Sequence, residues 1–218
     1  MHSQPPVPAA RCFALLPSAG VGSRAQAQGQ PAWPKQYQTL AGRPVLAHTL
    51  AAFQALGDAL AGIAVVVSPE DRLLAQLLPD LQAQGVRVLP KGGATRADSV
   101  RQGLLAWAAL DGGPRPEDWV LVHDAARCLV TPAQIRRLIQ ACQGDAVGGL
   151  LALPLPDTLK AEQDGRAVQT LERARKWLAQ TPQMFRLGAL TQALQLAAEQ
   201  GLAVTGEASA LEALGLAP

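Results

Sequence analysis

Five apolar runs, most of them continuous, constrain the fold of this chain more than any other feature of its sequence. They are RCFALLP at 11–17, GIAVVVS at 62–68, VRVL at 86–89, WVLVH at 119–123 and VGGLLALP at 147–154. Runs in which polar residues do not alternate with apolar ones are typical of strands buried on both faces, as in parallel sheets. A chain of 218 residues is long enough for one domain of this kind.

Helical patterns lie between these runs. Leu46, Leu50, Phe53 and Leu56 recur at helical spacing, and the sequence TPAQ at 131–134 places a Thr N-cap, a Pro at the first helical position and a Gln at the third. Strands that alternate with helices predict an α/β fold, with a mostly parallel twisted sheet and helices on both faces. We expect residues 1–218 to form a single domain.

Residues 155–176 differ from the rest of the chain because they are mostly polar and contain Asp164-Gly165, a hairpin turn signal. We interpret this segment as a β-arm that protrudes from the compact body. A hairpin packed against its own domain is the alternative, and the sequence does not decide between the two.

Composition excludes several classes of protein. Hydrophobic residues make up 49% of the chain and charged residues 17%, and no apolar run is long enough to cross a bilayer. The formal net charge of +2 gives no general attraction to nucleic acid. The three cysteines lack the spacing of a zinc site, so we expect a reducing cytoplasm. Residues 1–10 lack an apolar signal core and are interpreted as a flexible tail.

A turn of small residues follows the first apolar run, at Ser18, Ala19, Gly20 and Gly22. Such a turn lets backbone N–H groups approach a phosphate closely at the end of a strand. The chain has neither GxxxxGK[ST] nor GxGxxG here, which disfavours a P-loop ATPase and a dinucleotide dehydrogenase. A tight turn without any ligand is the alternative interpretation.

Two cations, Arg24 and Lys35, flank the segment after this turn. Cations of this kind neutralise the charge that builds on a phosphorus atom under attack. No protein nucleophile is evident, which favours an attacking oxygen that belongs to a second substrate. Solvated side chains on a loop are the alternative.

Eight segments occur in an order that resembles a known enzyme family. They are PSAGVGSR, PKQY, GRPVLAHTL, GGATRADSV, VLVHDAAR, PDTLK, TPQMF and TGEASALE. Together they resemble the cytidylyltransferases that act on 2-C-methyl-D-erythritol 4-phosphate in the non-mevalonate isoprenoid pathway. The resemblance implies a Rossmann-like nucleotidyltransferase fold and transfer of CMP from CTP, with release of pyrophosphate. It also implies Mg²⁺ held mainly by the CTP phosphates, with no dedicated metal ligands on the protein.

The resemblance assigns roles to individual positions. It implies catalytic Arg24 and Lys35; nucleotide binding by Pro17, Ser18, Ala19, Gly20, Gly92, Gly93 and Ser99; and substrate binding by Asp124, Arg127, Thr158, Arg173, Thr181 and Thr205. Without the family, Ser99 would be interpreted as a residue near a helix N-cap, and Asp124 with Arg127 as a surface ion pair. His123 is interpreted as a hydrogen-bonded structural residue.

In the family, the arm hooks around a second subunit, so that each active site borrows residues from its neighbour. The resemblance therefore implies a homodimer formed through residues 155–176, with Thr158 and Arg173 on the arm. For Arg173 the alternative is a solvated ion pair with Glu172 or Glu162, which would contribute little.

The chain departs from the family pattern at four places, the first of which is Ser18, where the family commonly has alanine. Gly206 stands where the family has an acidic residue, and Cys128 stands where it has proline. The family also continues beyond the position of Pro218 with a strand, a lysine that contacts the phosphates, and a helix, so we expect the complete protein to continue as well. Two other functions stay open: a cytidylyltransferase for a pentitol phosphate such as ribitol 5-phosphate, and a non-catalytic CTP-binding homologue.

Overall fold

The structure is a computed structural model that describes residues 9–20 and 33–218, in ten strands and six α-helices. The strands are β1 (Cys12–Pro17), β2 (Thr39–Leu40), β3 (Arg43–Pro44), β4 (Gly62–Val66), β5 (Val86–Leu89), β6 (Trp119–Val122), β7 (Gly148–Pro154), β8 (Leu159–Gln163), β9 (Arg166–Leu171) and β10 (Trp177–Arg186). The helices are α1 (Val45–Gln54), α2 (Leu73–Leu77), α3 (Arg96–Ala108), α4 (Pro132–Cys142), α5 (Leu187–Glu199) and α6 (Glu207–Ala213).

Six strands form one sheet in the order β5-β4-β1-β6-β10-β7. β1 pairs in parallel with β4 and β6, and β4 pairs in parallel with β5. β10 runs antiparallel to both of its neighbours. The predicted α/β fold with a mostly parallel sheet is confirmed, and all five apolar runs became strands of this sheet.

The strand β10 was not predicted from the sequence. Its buried end is short, its start is polar, and Pro182 interrupts the pattern, a residue that argues against a central strand. The pairing of β10 with β7 shifts register between Ala179 and Gln183, which accommodates the proline inside a strand that is paired on both sides.

Helices cover both faces of the sheet, as predicted. Alternate residues of β1 point to opposite faces: Ala14 and Leu16 belong to one buried cluster, and Phe13 and Leu15 to the other. The first cluster packs against α1 and α4, and the second against α3, α5 and α6. The sheet is therefore buried on both sides, which explains why its strands read as continuous apolar runs.

The two helices predicted from local signals are present as α1 and α4. Thr131 caps α4 by accepting a hydrogen bond from the N–H of Gln134, whose side chain returns to the N–H of Thr131. At α3 the N-cap is Thr95, which accepts from the N–H of Asp98, so Ser99 lies within the first turn and a half of the helix.

The predicted hairpin is present as β8 and β9, in a two-stranded sheet separate from the main one. Asp164 and Gly165 at its tip have φ of 51° and 76°, as a two-residue type I′ turn requires. The strands that carry this hairpin expose large apolar side chains, namely Leu153, Val168, Trp177 and Leu178. In the described ranges, the helices are all too short or too polar to cross a membrane.

Candidate functional site

Predicted site residues that follow three different strands meet at one edge of the sheet. Pro17 ends β1, Gly92 and Gly93 follow β5, and Asp124 follows β6. Since β1, β4, β5 and β6 are parallel, their carboxyl ends lie at the same edge, where ligands bind in open α/β sheets. The fold thus brings together segments that are far apart in the sequence.

The turn 17–20 is held by hydrogen bonds to its backbone. The N–H of Ser18 donates to the carbonyl of Val66 over 2.7 Å. The side-chain amide of Gln36 donates to the carbonyls of Ser18 and Gly20. The hydroxyl of Ser18 is buried and has no hydrogen-bond partner among the described residues.

Gly92 lies directly against this turn. A Cβ added at Gly92 would lie 2.3 Å from the Cβ of Ala19 and 2.9 Å from the carbonyl oxygen of Val67. Only glycine permits this approach, because the nearest atoms belong to backbone or to a short side chain. At Gly93, an added Cβ would lie 2.5 Å from the Cβ of Asp98 at the start of α3. The two glycines therefore let the loop after β5 form the second wall of the crevice beside the turn 17–20.

Ser99 fixes this loop. Its hydroxyl accepts from the N–H of Gly93 over 3.0 Å and donates to the carbonyl of Thr95 over 2.9 Å. The side chain is buried, and Ser99 has the structural role expected for a residue near a helix N-cap. A direct contact between Ser99 and a nucleotide stays a prediction.

Lys35 begins a 3-10 turn, Lys35–Tyr37, in which Lys35 is exposed and Gln36 and Tyr37 are buried. The hydroxyl of Tyr37 donates to Asp71 over 2.5 Å. Burial raises the pKa of Tyr37 above its usual range, and Asp71 raises it further, so the phenol stays a hydrogen-bond donor. Arg24, the other predicted catalytic cation, lies outside the described residues.

A polar pocket of about 270 Å³ opens beside β6 and β10. Four of the six predicted substrate-binding residues line it, namely Asp124, Arg127, Thr181 and Thr205. The hydroxyl of Thr181 accepts from the N–H of Asp124 over 3.3 Å, which joins β10 to the loop after β6. Thr205 lies just before α6, where its N–H donates to the hydroxyl of Ser209.

Two residues at this pocket were missed by the sequence analysis: Arg96, which lines it, and Glu207, which is buried next to Arg96. Arg96 donates from Nε to Asp124 over 2.7 Å and from Nη1 to the buried carboxylate of Glu207 over 2.6 Å. Asp124 also accepts from Nε of Arg127, which reaches Gln180 with its Nη1. Arg96 and Glu207 do lie within the segments GGATRADSV and TGEASALE, but neither segment shows that they pair.

The ionisation states of Asp124 and Arg96 are set by the charged residues that they contact. Burial alone would raise the pKa of Asp124, but Arg96 and Arg127 outweigh it and lower that pKa below its ordinary value. Burial likewise works to lower the pKa of Arg96, and the carboxylates of Glu207 and Asp124 raise it instead. Asp124 is therefore an ionised acceptor at neutral pH.

His123 has a structural contact, as the sequence analysis expected. Its Nε2 lies 3.0 Å from the carbonyl of Arg127, and the side chain is buried against Phe53. Burial lowers the pKa of His123, so the imidazole is neutral at pH 7. The residue helps to shape the loop that carries Asp124 and Arg127.

Thr158 and Arg173 do not line the polar pocket of their own chain. Both are exposed at the base of the β8–β9 hairpin, where Arg173 donates to the carbonyl of Pro156. Within residues 9–20 and 33–218, Arg173 forms no ion pair with Glu172 or Glu162. In this structure these two residues therefore lie outside the polar pocket of their own chain.

A larger cavity of about 950 Å³, mostly apolar, lies between α3 and α5 near Arg11 and Arg115. Arg11 precedes β1, so this cavity is at the amino end of the strand, away from the turn 17–20. Its position is opposite to the edge where α/β sheets bind their ligands. We therefore assign the candidate site to the crevice at 17–20 and 92–93 with the polar pocket beside it.

Comparison with known proteins identifies the family. Residues 12–218 match the sequence profile of the 2-C-methyl-D-erythritol 4-phosphate cytidylyltransferases. This chain belongs to that family. The enzyme of that name from Laribacter hongkongensis is 51% identical over 211 residues, a match that covers 95% of this chain and 85% of the relative. The family resemblance drawn from the eight segments is thereby confirmed.

One similar protein is longer. The bifunctional enzyme IspD/IspF of Albidiferax ferrireducens is 58% identical over 209 residues, a match that covers 95% of this chain and 47% of the relative. The chain thus spans about half the length of that enzyme. Family membership classes the chain as a cytidylyltransferase, a nucleotidyltransferase that acts on a phosphorylated substrate.

Solved structures agree with the fold. The 2-C-methyl-D-erythritol 4-phosphate cytidylyltransferase of Francisella tularensis superposes with a TM-score of 0.77 at 33% identity, covering 96% of this chain and 88% of that one. A crystal structure of a 4-diphosphocytidyl-2C-methyl-D-erythritol synthase gives a TM-score of 0.80 at 38% identity, covering 96% of this chain and 86% of that one. The nucleotidyltransferase fold is therefore shown.

Proposed function

We propose that this chain transfers CMP from CTP to 2-C-methyl-D-erythritol 4-phosphate, forming 4-diphosphocytidyl-2-C-methyl-D-erythritol and pyrophosphate in isoprenoid precursor synthesis. One observation above all supports this proposal. In a member of this family, a backbone-lined crevice and a polar pocket lie side by side at the carboxyl edge of the sheet. The crevice suits a nucleotide, and the pocket suits a phosphorylated polyol.

The proposed reaction is a displacement at phosphorus. A phosphate oxygen of the acceptor attacks the α-phosphorus of CTP, and the bond from that phosphorus to the oxygen bridging to the β-phosphate breaks. Pyrophosphate leaves with the electron pair of that bond. A phosphate monoester is already nucleophilic at neutral pH, so no protein base is needed, in keeping with the structural position of His123.

We assign the nucleotide to the crevice. Backbone groups of Pro17, Ser18, Ala19, Gly20, Gly92 and Gly93 would contact it, with Ser99 holding the second wall. Lys35 and Arg24 would neutralise the charge that develops on the α-phosphoryl group. The exposed position of Lys35 beside the turn 17–20 supports its part in this assignment.

We assign the acceptor to the polar pocket. An ionised Asp124 accepts hydrogen bonds from polyol hydroxyls, and the guanidinium of Arg127 suits a phosphate. The hydroxyls of Thr181 and Thr205 line the same pocket and add polar contacts.

The charge of this pocket supports a homodimer. Two guanidiniums, of Arg96 and Arg127, and two carboxylates, of Asp124 and Glu212, line the pocket, and the buried Glu207 pairs with Arg96 from behind it. A phosphate dianion is poorly held by such a balance, and a further cation is needed. We propose that the arm 155–176 of a second copy supplies Arg173, together with Thr158.

The surface of the arm also suits association with a second copy. Leu153, Val168, Trp177 and Leu178 are exposed on or beside the hairpin, and Trp177 is 62% exposed. Leu153 and Leu178 are cross-strand neighbours in β7 and β10, and exposed apolar side chains that lie together mark interaction sites. Contact with the second copy would bury them.

For the metal, we propose Mg²⁺ bound mainly by the phosphates of CTP. Residues 9–20 and 33–218 contain no group of three or more His, Cys, Asp or Glu side chains that could hold an ion. A hard cation that prefers oxygen ligands fits a site made mostly of phosphate oxygens. There it would neutralise the triphosphate and the departing pyrophosphate.

We further propose that the enzyme works in the cytoplasm. Cys12, Cys128 and Cys142 are all free, and two of them are buried. Free thiols fit a reducing compartment. The net charge of +2 and the lack of a basic stripe in the sequence favour small anionic substrates over nucleic acid.

The proposal is tested by pyrophosphate release. With CTP, Mg²⁺ and 2-C-methyl-D-erythritol 4-phosphate, we expect turnover that Lys35→Ala reduces by about 100-fold or more. Ribitol 5-phosphate, the alternative acceptor, should react poorly at the same CTP concentration. A preference for the pentitol phosphate would replace the proposed substrate, and CTP binding without product would show a non-catalytic homologue.

A further inference from the structure

We propose that Gln36 is a positioning residue that fixes both Lys35 and the phosphate-facing backbone of the turn 17–20. The inference rests on the proposed function, because it concerns the same crevice. Gln36 carries no role in the family assignments above. Its side chain nevertheless joins the segment that carries Lys35 to the turn that would hold the nucleotide.

Burial and two hydrogen bonds hold the side-chain amide of Gln36 in one orientation. The residue is 6% exposed, and its Nε2 donates to the carbonyl of Ser18 over 2.7 Å and to the carbonyl of Gly20 over 3.1 Å. Both hydrogens of one amide nitrogen are therefore used on two carbonyls of a single turn. A buried amide with this pairing is costly to move, because both carbonyls would lose a partner.

The first consequence concerns the backbone of the turn. In a trans peptide the C=O and the following N–H point in opposite directions. Since the carbonyl of Ser18 points toward Gln36, the N–H of Ala19 points away from it. Within residues 9–20 and 33–218, that N–H has no hydrogen-bond acceptor. Gln36 thus holds in one orientation a backbone donor that has no acceptor among the described residues, as an anion-binding turn requires.

The second consequence concerns Lys35, the residue directly before Gln36. The turn Lys35–Tyr37 is anchored on one side by Gln36 and on the other by the bond from Tyr37 to Asp71. Asp71 is itself fixed by the N–H groups of Leu73 and Leu74, each at 2.9 Å. Gln36 therefore fixes the backbone of Lys35 relative to the turn 17–20, and the exposed side chain of Lys35 extends from that fixed position.

The test uses Gln36→Met, which keeps most of the side-chain volume and removes both donors. Gln38→Met is the matched control, since Gln38 is exposed two residues away and its amide makes one long bond of 3.4 Å to Trp33. We expect Gln36→Met to lower kcat/KM for CTP by about 10- to 100-fold. Gln38→Met should stay within about two-fold of the wild type.

CTP binding provides a readout that does not depend on turnover. In calorimetry with CTP and Mg²⁺ but no acceptor, Gln36→Met should bind CTP several-fold more weakly, and Gln38→Met should not. Melting temperatures of both variants check that they are folded. If Gln36→Met fails to fold, Gln36→Leu, paired with Gln38→Leu, serves in its place because it also removes both donors without adding a charge.

The effect on Lys35 is separated by a double-mutant cycle. In a Lys35→Ala background, Gln36→Met should cost little further kcat, because the group that it positions is gone. A full additional loss of kcat in that background would overturn the role of Gln36 in placing Lys35. A folded Gln36→Met protein with unchanged CTP binding and turnover would overturn the whole inference. An inactive wild type that binds CTP in a Gln36-dependent way would instead overturn the proposed function alone.

Discussion

Arg96 and Glu207, 111 positions apart in the chain, form a two-pronged ion pair in which Nη1 and Nη2 of the guanidinium donate to the two carboxylate oxygens over 2.6 and 3.2 Å. Arg96 is the first residue of α3, and Glu207 is the first residue of α6. The remaining Nε donates to Asp124 after β6. One side chain thus joins the loop at Gly92–Gly93, the polar pocket and the start of α6.

Glu207→Gln should lower the free energy of unfolding by about 2 kcal/mol, because Glu207 is 1% exposed and accepts two charge-assisted hydrogen bonds. Urea unfolding measures this loss. Arg96→Lys should act similarly, since an ammonium group cannot make the paired contact and reach Asp124 as well. It should also raise the KM for the acceptor more than the KM for CTP.

The control for Arg96→Lys is Arg101→Lys on the same helix. Arg101 contacts Gln195 and Asp98 but no residue of the polar pocket. Its replacement should leave the acceptor KM unchanged. Equal effects of the two lysine variants on the acceptor KM would contradict the assignment of Arg96 to the pocket.

Ser18→Ala should leave the protein as stable as the wild type or stabilise it by up to about 1 kcal/mol, because the buried hydroxyl of Ser18 has no partner among the described residues. Ser99→Ala provides the contrast. Ser99 is equally buried, but its hydroxyl makes two hydrogen bonds, so its loss should cost about 1 kcal/mol or more. Thermal or urea unfolding compares the two, and equal losses would show that Ser18 has a partner of its own.

Gly206→Asp should stabilise the protein by a few tenths of a kcal/mol, because Gly206 is the N-cap of α6 and has no side chain to accept from the first N–H groups. Its φ of −177° is open to any residue, and an added Cβ comes no closer than 3.6 Å to Gln183. Gly206→Ala, which adds a Cβ without an acceptor, should destabilise the protein slightly. Urea midpoints of the two variants that move in the same direction would rule out the capping effect.

Acid should destabilise the protein in part through Asp118, a fully buried carboxylate far from the site. Burial works to raise its pKa, but hydrogen bonds from Arg11 and Arg115 outweigh it and lower the pKa below its usual range. A pKa lowered by folding stabilises the protein above the unfolded value of about 4, and this stabilisation is lost as the pH falls below it.

Asp118→Asn therefore should be less stable at pH 7 by about 2 kcal/mol and should show a shallower loss of stability between pH 5 and 3. Unfolding free energies measured at several pH values test this. An unchanged slope below pH 5 in the variant would mean that other carboxylates, such as Asp124, carry the acid sensitivity.

The sequence predicted those parts of the fold that depend on local patterns. The runs that became β1 and β6, the cap at Thr131 and the turn at Asp164 each carry their own signal within a few residues. The strand β10 does not, since its place in the sheet depends on partners on both sides and not on its own composition. The position of β10 in the sheet is therefore determined by its tertiary contacts.

The same division holds at the site. The order of the motifs assigned Asp124, Arg127, Thr181 and Thr205 to substrate binding, and in the structure the four line one pocket. The contacts of Arg96 and Gln36 were not predicted, because a side chain that binds a distant carboxylate or a backbone carbonyl leaves no periodic or compositional trace. Residues that act by holding other groups in place are thus the ones that a sequence pattern alone conceals.

The strand β10 has a further consequence for how the subunit works. It begins at the exposed Trp177 beside the arm, passes Gln180 and Thr181 at the polar pocket, and ends among core residues at Phe185. No flexible linker separates these three surroundings. In the proposed dimer, the strand that meets the neighbouring subunit is thus the same strand that supplies Gln180 and Thr181 to the polar pocket.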